Sequence, residues 1–193
     1  DLPSGAPVLL EVEDLEDGAS IHGVSFKLHS GEILGLGGLL GAGRSEVAEA
    51  IFGLRLARGT IKIAGHPFAQ RSPELAKRRG LALVSEDRRL DQAFLIRPVR
   101  ENVTAANFAA LGRSALGWIR RRDEDAAALG ICRKLQVLTA GLGIPMAALS
   151  GGNQQKAVIG RWLDINPCIC ILDEPTKGVD IGARESIHHL IVE

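Results

Sequence analysis

The sequence predicts an α/β fold with an antiparallel β layer beside it and a helical block inserted between two core strands. Three observations carry that expectation. An apolar strand, Ile33–Leu36, runs into the glycine-rich stretch Gly35–Ser45 and out into a short amphipathic helix, Glu46–Phe52, stopped by Gly53. Five apolar residues, Cys168–Leu172, end in Asp173 and Glu174, the pattern of a strand buried on both faces that delivers acids at its tip. Between the two, Val99–Leu138 is rich in Ala and Leu and has no strand-like alternation.

Asp1–Pro7 reads as a linker, and without an initiator Met the expectation is a domain cut from a longer chain, with 8–193 as its body. Val8–Val12 and Val24–Leu28 read as strands, the second alternating with polar positions. Ser30-Gly31-Glu32 turns the chain into Ile33–Leu36. Thr60–Ala64 alternates between Gly59 and Gly65 and completes the antiparallel layer. Pro73–Arg79 is a short helix and Leu81–Val84 a buried strand; Ser85–Pro98 is polar and irregular. The helical subdomain spans about 99–148, broken near Gly112 and Gly117, with Asp123 as the N-cap of a helix over Glu124–Val137.

The bulk numbers bound the partners. At 193 residues and 46% hydrophobic, the chain supports a real core. Its 23 basic and 23 acidic residues balance, so no general pull toward nucleic acid or anionic lipid is expected. Lys77–Arg79 and Arg120–Arg122 read as solvated helix faces. No apolar run approaches the ~20 residues of a membrane span. Cys132, Cys168 and Cys170 lack metal-ligand spacing, and the alternating pair suits a buried strand in a reducing compartment.

Three stretches carry chemistry. Gly38–Ser45 (GLLGAGRS) fits the phosphate-cradling pattern, with arginine where lysine is usual. Its glycines let backbone N–H groups turn inward, and the following helix adds a positive dipole end. Ser45 offers a hydroxyl to a divalent cation. Alone, the stretch also fits a strand–turn–helix that holds no ligand. A dinucleotide fingerprint fails, because Leu40 stands where it needs glycine or alanine. Ser150-Gly151-Gly152 opens a helix with Ala157, Val158, Ile159, Trp162 and Leu163 inward; it reads as a second anion site or as an ordinary serine cap. Asp173 suits Mg²⁺, which prefers oxygen ligands, and Glu174 suits a group that takes a proton from water. Asp180 lies in the next turn, before a helix that starts near Gly182.

GLLGAGRS, LSGGNQQK and CICILDEPTKGVD, in this order, resemble the ATP-binding-cassette ATPases over essentially the whole chain. Arg44, Val84–Arg88 (VSEDR) and DEPTKGVDIGA resemble the second, C-terminal cassette of monosaccharide importers of the ribose, xylose or galactose type. The resemblance implies a phosphate-loop NTPase core with ATP and Mg²⁺ as ligands. Two cassettes, both on one full-length chain, close head to tail on ATP and drive an integral-membrane sugar permease fed by a secreted sugar-binding protein. That places the chain peripherally at the cytoplasmic face of the inner membrane. Gly38, Gly41, Ala42, Gly43, Arg44, Ser45 and Glu46 would line the β- and γ-phosphates. Ser150, Gly151 and Gly152 would touch the nucleotide of the partner cassette, and Asp180 would face that partner. Ser45, Glu86 and Asp173 would serve Mg²⁺, and Glu174 would polarise the attacking water.

Departures from the family pattern concern the chain's own site. Arg44 replaces lysine with a bulkier planar fork. Glu46 puts a carboxylate beside the phosphates, and Glu86 stands in for a glutamine. The aromatic that stacks on adenine matches Leu15. The family's next strand and its switch position are absent after Glu193, and His188 and His189 read as ordinary helix residues. A degenerate phosphate loop is therefore expected, with a non-catalytic cassette that supplies only LSGG and permease docking as the alternative. A chromosome or DNA-repair ATPase fits less well: Val99–Ala148 is too short for its coiled coil, and no basic stripe awaits nucleic acid.

Overall fold

The structure, a computed structural model, describes residues 5–87, 92–112 and 118–192. Most of the expected linker, Arg88 and the expected break near Gly117 lie outside the described residues. By its internal contacts the chain divides into Asp1–Leu83 with Pro167–Asp173, and Val84–Asn166 with Glu174–Glu193.

The first unit holds the antiparallel layer. β1 (Val8–Glu16) lies between β2 (Val24–His29) and β3 (Arg58–Ile63), and the short β4 (His66–Pro67) extends the edge. β1 runs past its expected end at Val12 because the register shifts between Val12 and Leu15, with Asp14 at φ 48°. The extra residue turns Leu15 back inward, so Leu10, Val12 and Leu15 are all buried. Glu11 faces Lys27 on β2 and Lys62 on β3 in register. Its carboxylate meets their ammonium groups at 2.6 and 2.8 Å.

α1 (Arg44–Phe52) buries Val47, Ala48, Ala50, Ile51 and Phe52, and Gly53 ends it in the left-handed region. α2 (Pro73–Arg78) starts with proline at its first turn and Ser72 as N-cap, whose Oγ accepts from the Leu75 N–H. β5 (Leu81–Val84) and β6 (Ile169–Leu172) form a two-stranded sheet.

Two expectations are corrected here. Ile33–Leu36 forms no strand: no described residue pairs with it, and Ile33 stays 67% and Leu36 42% exposed. An apolar, strand-like segment becomes a strand only where a neighbour takes up its backbone N–H and C=O groups. β6 is not buried on both faces either. Ile169 turns inward, while Cys168 and Cys170 point to the open face.

The second unit is helical. It carries α3 (Val99–Thr104), α4 (Phe108–Leu111), α5 (Arg121–Lys134), α6 (Gly151–Leu163) and α7 (Ile181–Val192), with 3₁₀ turns at Ala105–Asn107 and Met146–Ala148. No strand occurs among the described residues from Val99 to Leu138. α3, α5 and α6 pack on one another through Val99, Val103, Ala128, Ile131, Leu135, Ala157 and Val158. α5 begins at Arg121, three residues before the expected start. Asp123 sits in its first turn, where a carboxylate favours the dipole, instead of capping it. Trp162 and Leu163 are half-buried, whereas Ala157, Val158 and Ile159 are fully inside. No described helix is long and apolar enough to cross a membrane.

Candidate functional site

The glycine loop is shaped by its backbone. Gly41 and Gly43 take positive φ of 79° and 83°, and the Ala42 N–H donates to the Leu39 carbonyl at 3.0 Å, closing a turn. Gly43 is the N-cap of α1, and no side chain caps the helix there, so its first amides are offered by the loop itself. A Cβ on Gly41 would enter open space. A Cβ on Gly43 would meet the Ser20 carbonyl oxygen at 2.5 Å, and one on Gly38 would meet Ala42 Cβ at 2.9 Å. Leu39 and Leu40 are exposed, so the loop stands open to a ligand. Arg44, Ser45 and Glu46 form the first turn of α1 and are half-buried.

Behind Gly43 lies a turn the sequence reading missed. Asp17 accepts the N–H groups of Ala19, Ser20 and Ile21 at 2.8–2.9 Å and pairs with Arg55 Nη1 at 3.2 Å. These bonds hold the Asp17 carboxyl well below the usual carboxylate range, the Ile21 and Ala19 amides contributing most. Asp17-Gly18-Ala19-Ser20 has the composition of an Asx turn, a signal available in the sequence. Leu15, expected at the stacking position, is fully buried and presents no surface to a base.

The second unit gathers other expected residues. Ser150 is the N-cap of α6; its Oγ accepts from the Asn153 backbone N–H at 3.5 Å and side-chain amide at 2.9 Å. Gly152 is buried, and a Cβ there would meet Ala183 Cβ at 2.3 Å with Asp180 Oδ2 at 3.8 Å. Asp180 Oδ1 accepts the Ala183 N–H at 2.9 Å and caps α7. Gly151 and Gly152 thus lie at the α6 tip, beside the Asp180 cap of α7.

β6 delivers Asp173, half-buried, and then Glu174, exposed and held at φ 44°. A left-handed non-glycine residue carries backbone strain, and at a strand tip that strain marks a constrained position. The Lys177 N–H closes the turn on the Glu174 carbonyl at 2.9 Å. The Lys177 ammonium donates to Glu86 Oε1, so Glu86 is engaged by a lysine.

Sequence reasoning also missed the support of the irregular stretch before α3. Asn102, fully buried, donates to the carbonyls of Phe94, Arg97 and Pro98 and accepts the Phe94 N–H. Arg161 on α6 donates to the carbonyls of Asn102 at 2.6 Å and Gln92 at 2.8 Å and lies over the Phe94 ring. Burial pushes its guanidinium down to about 10.

Comparison with known proteins fits this arrangement. A family profile described as ABC transporter matches residues 21–177. The chain is 41% identical over 187 residues to Ribose import ATP-binding protein RbsA 2 of Rhizobium etli, covering 96% of this chain and 37% of that protein. It is 43% identical over 185 residues to Ribose import ATP-binding protein RbsA of Geobacillus kaustophilus, covering 95% and 37%. The chain therefore spans little more than a third of these relatives' length. Among solved structures, a nucleotide-free ATP-binding cassette from an ABC transporter superposes with TM-score 0.77 at 24% identity, covering 96% of this chain and 76% of that one. That likeness bears out the α/β cassette fold with its antiparallel layer. With a profile over most of its length and relatives above 40% identity, the chain belongs to the ABC transporter family.

Proposed function

We propose that this chain is the ATP-binding and ATP-hydrolysing cassette of a monosaccharide importer, paired with a second cassette on the same full-length polypeptide. The observation that carries it is the meeting of the Ser150–Gly152 helix tip with the Asp180 turn in the second unit. A serine hydroxyl, two glycine amides and an acid gathered beside two helix starts suit a face that receives another cassette's nucleotide. The relatives named as ribose import ATP-binding proteins support the same reading.

In this reading Gly38, Gly41, Ala42, Gly43, Arg44, Ser45 and Glu46 cradle the β- and γ-phosphates. Gly41 and Gly43 aim amides at the anion, and Arg44 gives it a guanidinium. Glu174 accepts a proton from the water that attacks the γ-phosphorus, as the bond to the β-phosphate oxygen breaks and ADP leaves. The oxygen donors of Ser45, Asp173 and Glu86 suit Mg²⁺, which neutralises phosphate charge when bound. No group of three His, Cys, Asp or Glu side chains is placed to hold a metal ion by itself among the described residues. A permease, and through it a sugar-binding protein, takes up the closure at the cytoplasmic face of the membrane, and nucleic acid has no part in it.

The loop itself is degenerate, because Glu46 places a carboxylate in the first turn of α1, against an incoming phosphate. The chain's own site therefore binds ATP weakly. The same observation supports a second reading, a non-catalytic cassette that supplies LSGG and permease docking. Steady-state ATPase assays on the full-length polypeptide decide between them. Glu174→Gln lowers turnover and leaves the melting curve in place if Glu174 serves the water; unchanged turnover supports the non-catalytic cassette. Micromolar ATP binding and brisk turnover by the isolated chain would overturn the degenerate-loop reading.

A further inference from the structure

Cys168 and Cys170 flank the buried Ile169, and both are exposed on the open face of β6, within the first unit. Successive residues of a strand face opposite sides, so the second thiol returns to the side of the first. The backbone fixes Cys168. Its N–H donates to the Gly80 carbonyl at 2.8 Å, and its Sγ lies 3.5 Å from the Arg79 carbonyl oxygen and 3.4 Å from that of Gly80. Gly80 leaves room for this sulfur, because a Cβ there would stand 2.7 Å from it. The Cys170 thiol is pushed up, first by the loss of water around it and then by the Cys168 sulfur, so the two sulfurs feel each other. Same-face residues two apart stand about 6.6 Å from each other along a strand. A disulfide needs Cβ atoms about 4 Å apart, so the extended backbone favours two separate thiols. A single metal atom spans such a gap with two sulfur–metal bonds of about 2.3 Å each, their length in zinc sites.

We propose that Cys168 and Cys170 form a two-coordinate site for a soft monovalent cation, Cu(I). Thiolates are soft donors that select Cu(I), whereas zinc takes four ligands and Mg²⁺ takes oxygen. As each sulfur–copper bond forms, the S–H bond breaks and its proton leaves to solvent. Copper stays monovalent, so no electron is exchanged. The Cys168 S–H is a weak donor, and giving up its carbonyl contacts costs little. The site stands apart from the nucleotide reading above and does not depend on it.

The test is a titration of the chain with Cu(I), without oxygen, against a coloured copper chelator. One tightly held Cu(I) per chain is expected. Cys168→Ser and Cys170→Ser each weaken binding about a hundredfold, the low end of what a second tethered ligand adds. Cys132→Ala binds like wild type, since Cys132 is buried in the second unit. Affinity rises with pH, because two protons leave as the metal enters. A second readout needs no variant: alkylation of the wild type, followed by mass spectrometry, is slowed by Cu(I) at both Cys168 and Cys170 and unchanged at Cys132. Either serine variant binding as tightly as wild type overturns the paired site and leaves an adventitious thiol–copper contact. Alkylation of Cys168 and Cys170 at the same rate with and without Cu(I) overturns it as well.

Discussion

Gly43 answers to two demands at once. Its φ of 83° disfavours any side chain, and the Ser20 carbonyl fills the space a Cβ would need. The first demand is legible in the motif; the second is not, because Ser20 lies on a turn that Asp17 folds back. Gly43→Ala is expected to cost about 2 kcal/mol or more in a urea melt and to abolish ATP-induced shifts at Gly41. The mirror case is Leu15, which the family resemblance puts where a base would stack and which the β1 register shift turns inward. Position in a sequence places a residue along a strand, but a single shifted residue decides which face it serves.

Among the elements, the Lys27–Glu11–Lys62 rung across β2, β1 and β3 makes stability depend on acid. Hydrogen bonds from Lys27 and then Lys62 hold the Glu11 carboxyl at about 2, against an ordinary 4.5. A depressed carboxylate stabilises the fold above its ordinary value and loses that contribution as pH falls through the folded one. Glu11→Gln is therefore less stable than wild type in a denaturant melt at pH 7, and the gap closes as pH falls from 4.5 toward about 2. In the second unit, Asn102 joins the irregular Phe94–Pro98 segment to α3 and, through Arg161, to α6. Asn102→Ala is expected to cost about 3 kcal/mol by chemical denaturation, because the Phe94, Arg97 and Pro98 carbonyls lose their donor and the buried Arg161 Nη2 loses its 3.3 Å bond to Asn102 Oδ1, while the Arg161 bond to the Asn102 backbone carbonyl remains. Asparagine among Arg100, Glu101, Val103 and Thr104 carries no signal in the sequence; its importance comes from carbonyls brought to it by the fold.

At the scale of the whole molecule, three crossings of the chain join two units that each have their own core. Damage in one should therefore register there first. In hydrogen exchange, Asn102→Ala is expected to expose amides of α3 and α6 while β1 and β3 keep their protection; uniform loss would mean one cooperative body. The order of the chemistry-bearing motifs, the antiparallel layer and the helical block were all legible, because each rests on local composition and period. Ile33–Leu36 was not, since a strand is defined by its neighbour. Neither was the bond between Glu86 and Lys177, because no spacing rule reaches across 91 residues.

Glu174, held at φ 44°, leaves some durability unclaimed. Glycine relieves that strain, which outweighs the unfolded-chain entropy it adds, so Glu174→Gly is expected to melt higher in a thermal scan and, on the proposed reading, to turn over no ATP. On the proposed reading, the acid is retained at that strained position at the expense of robustness.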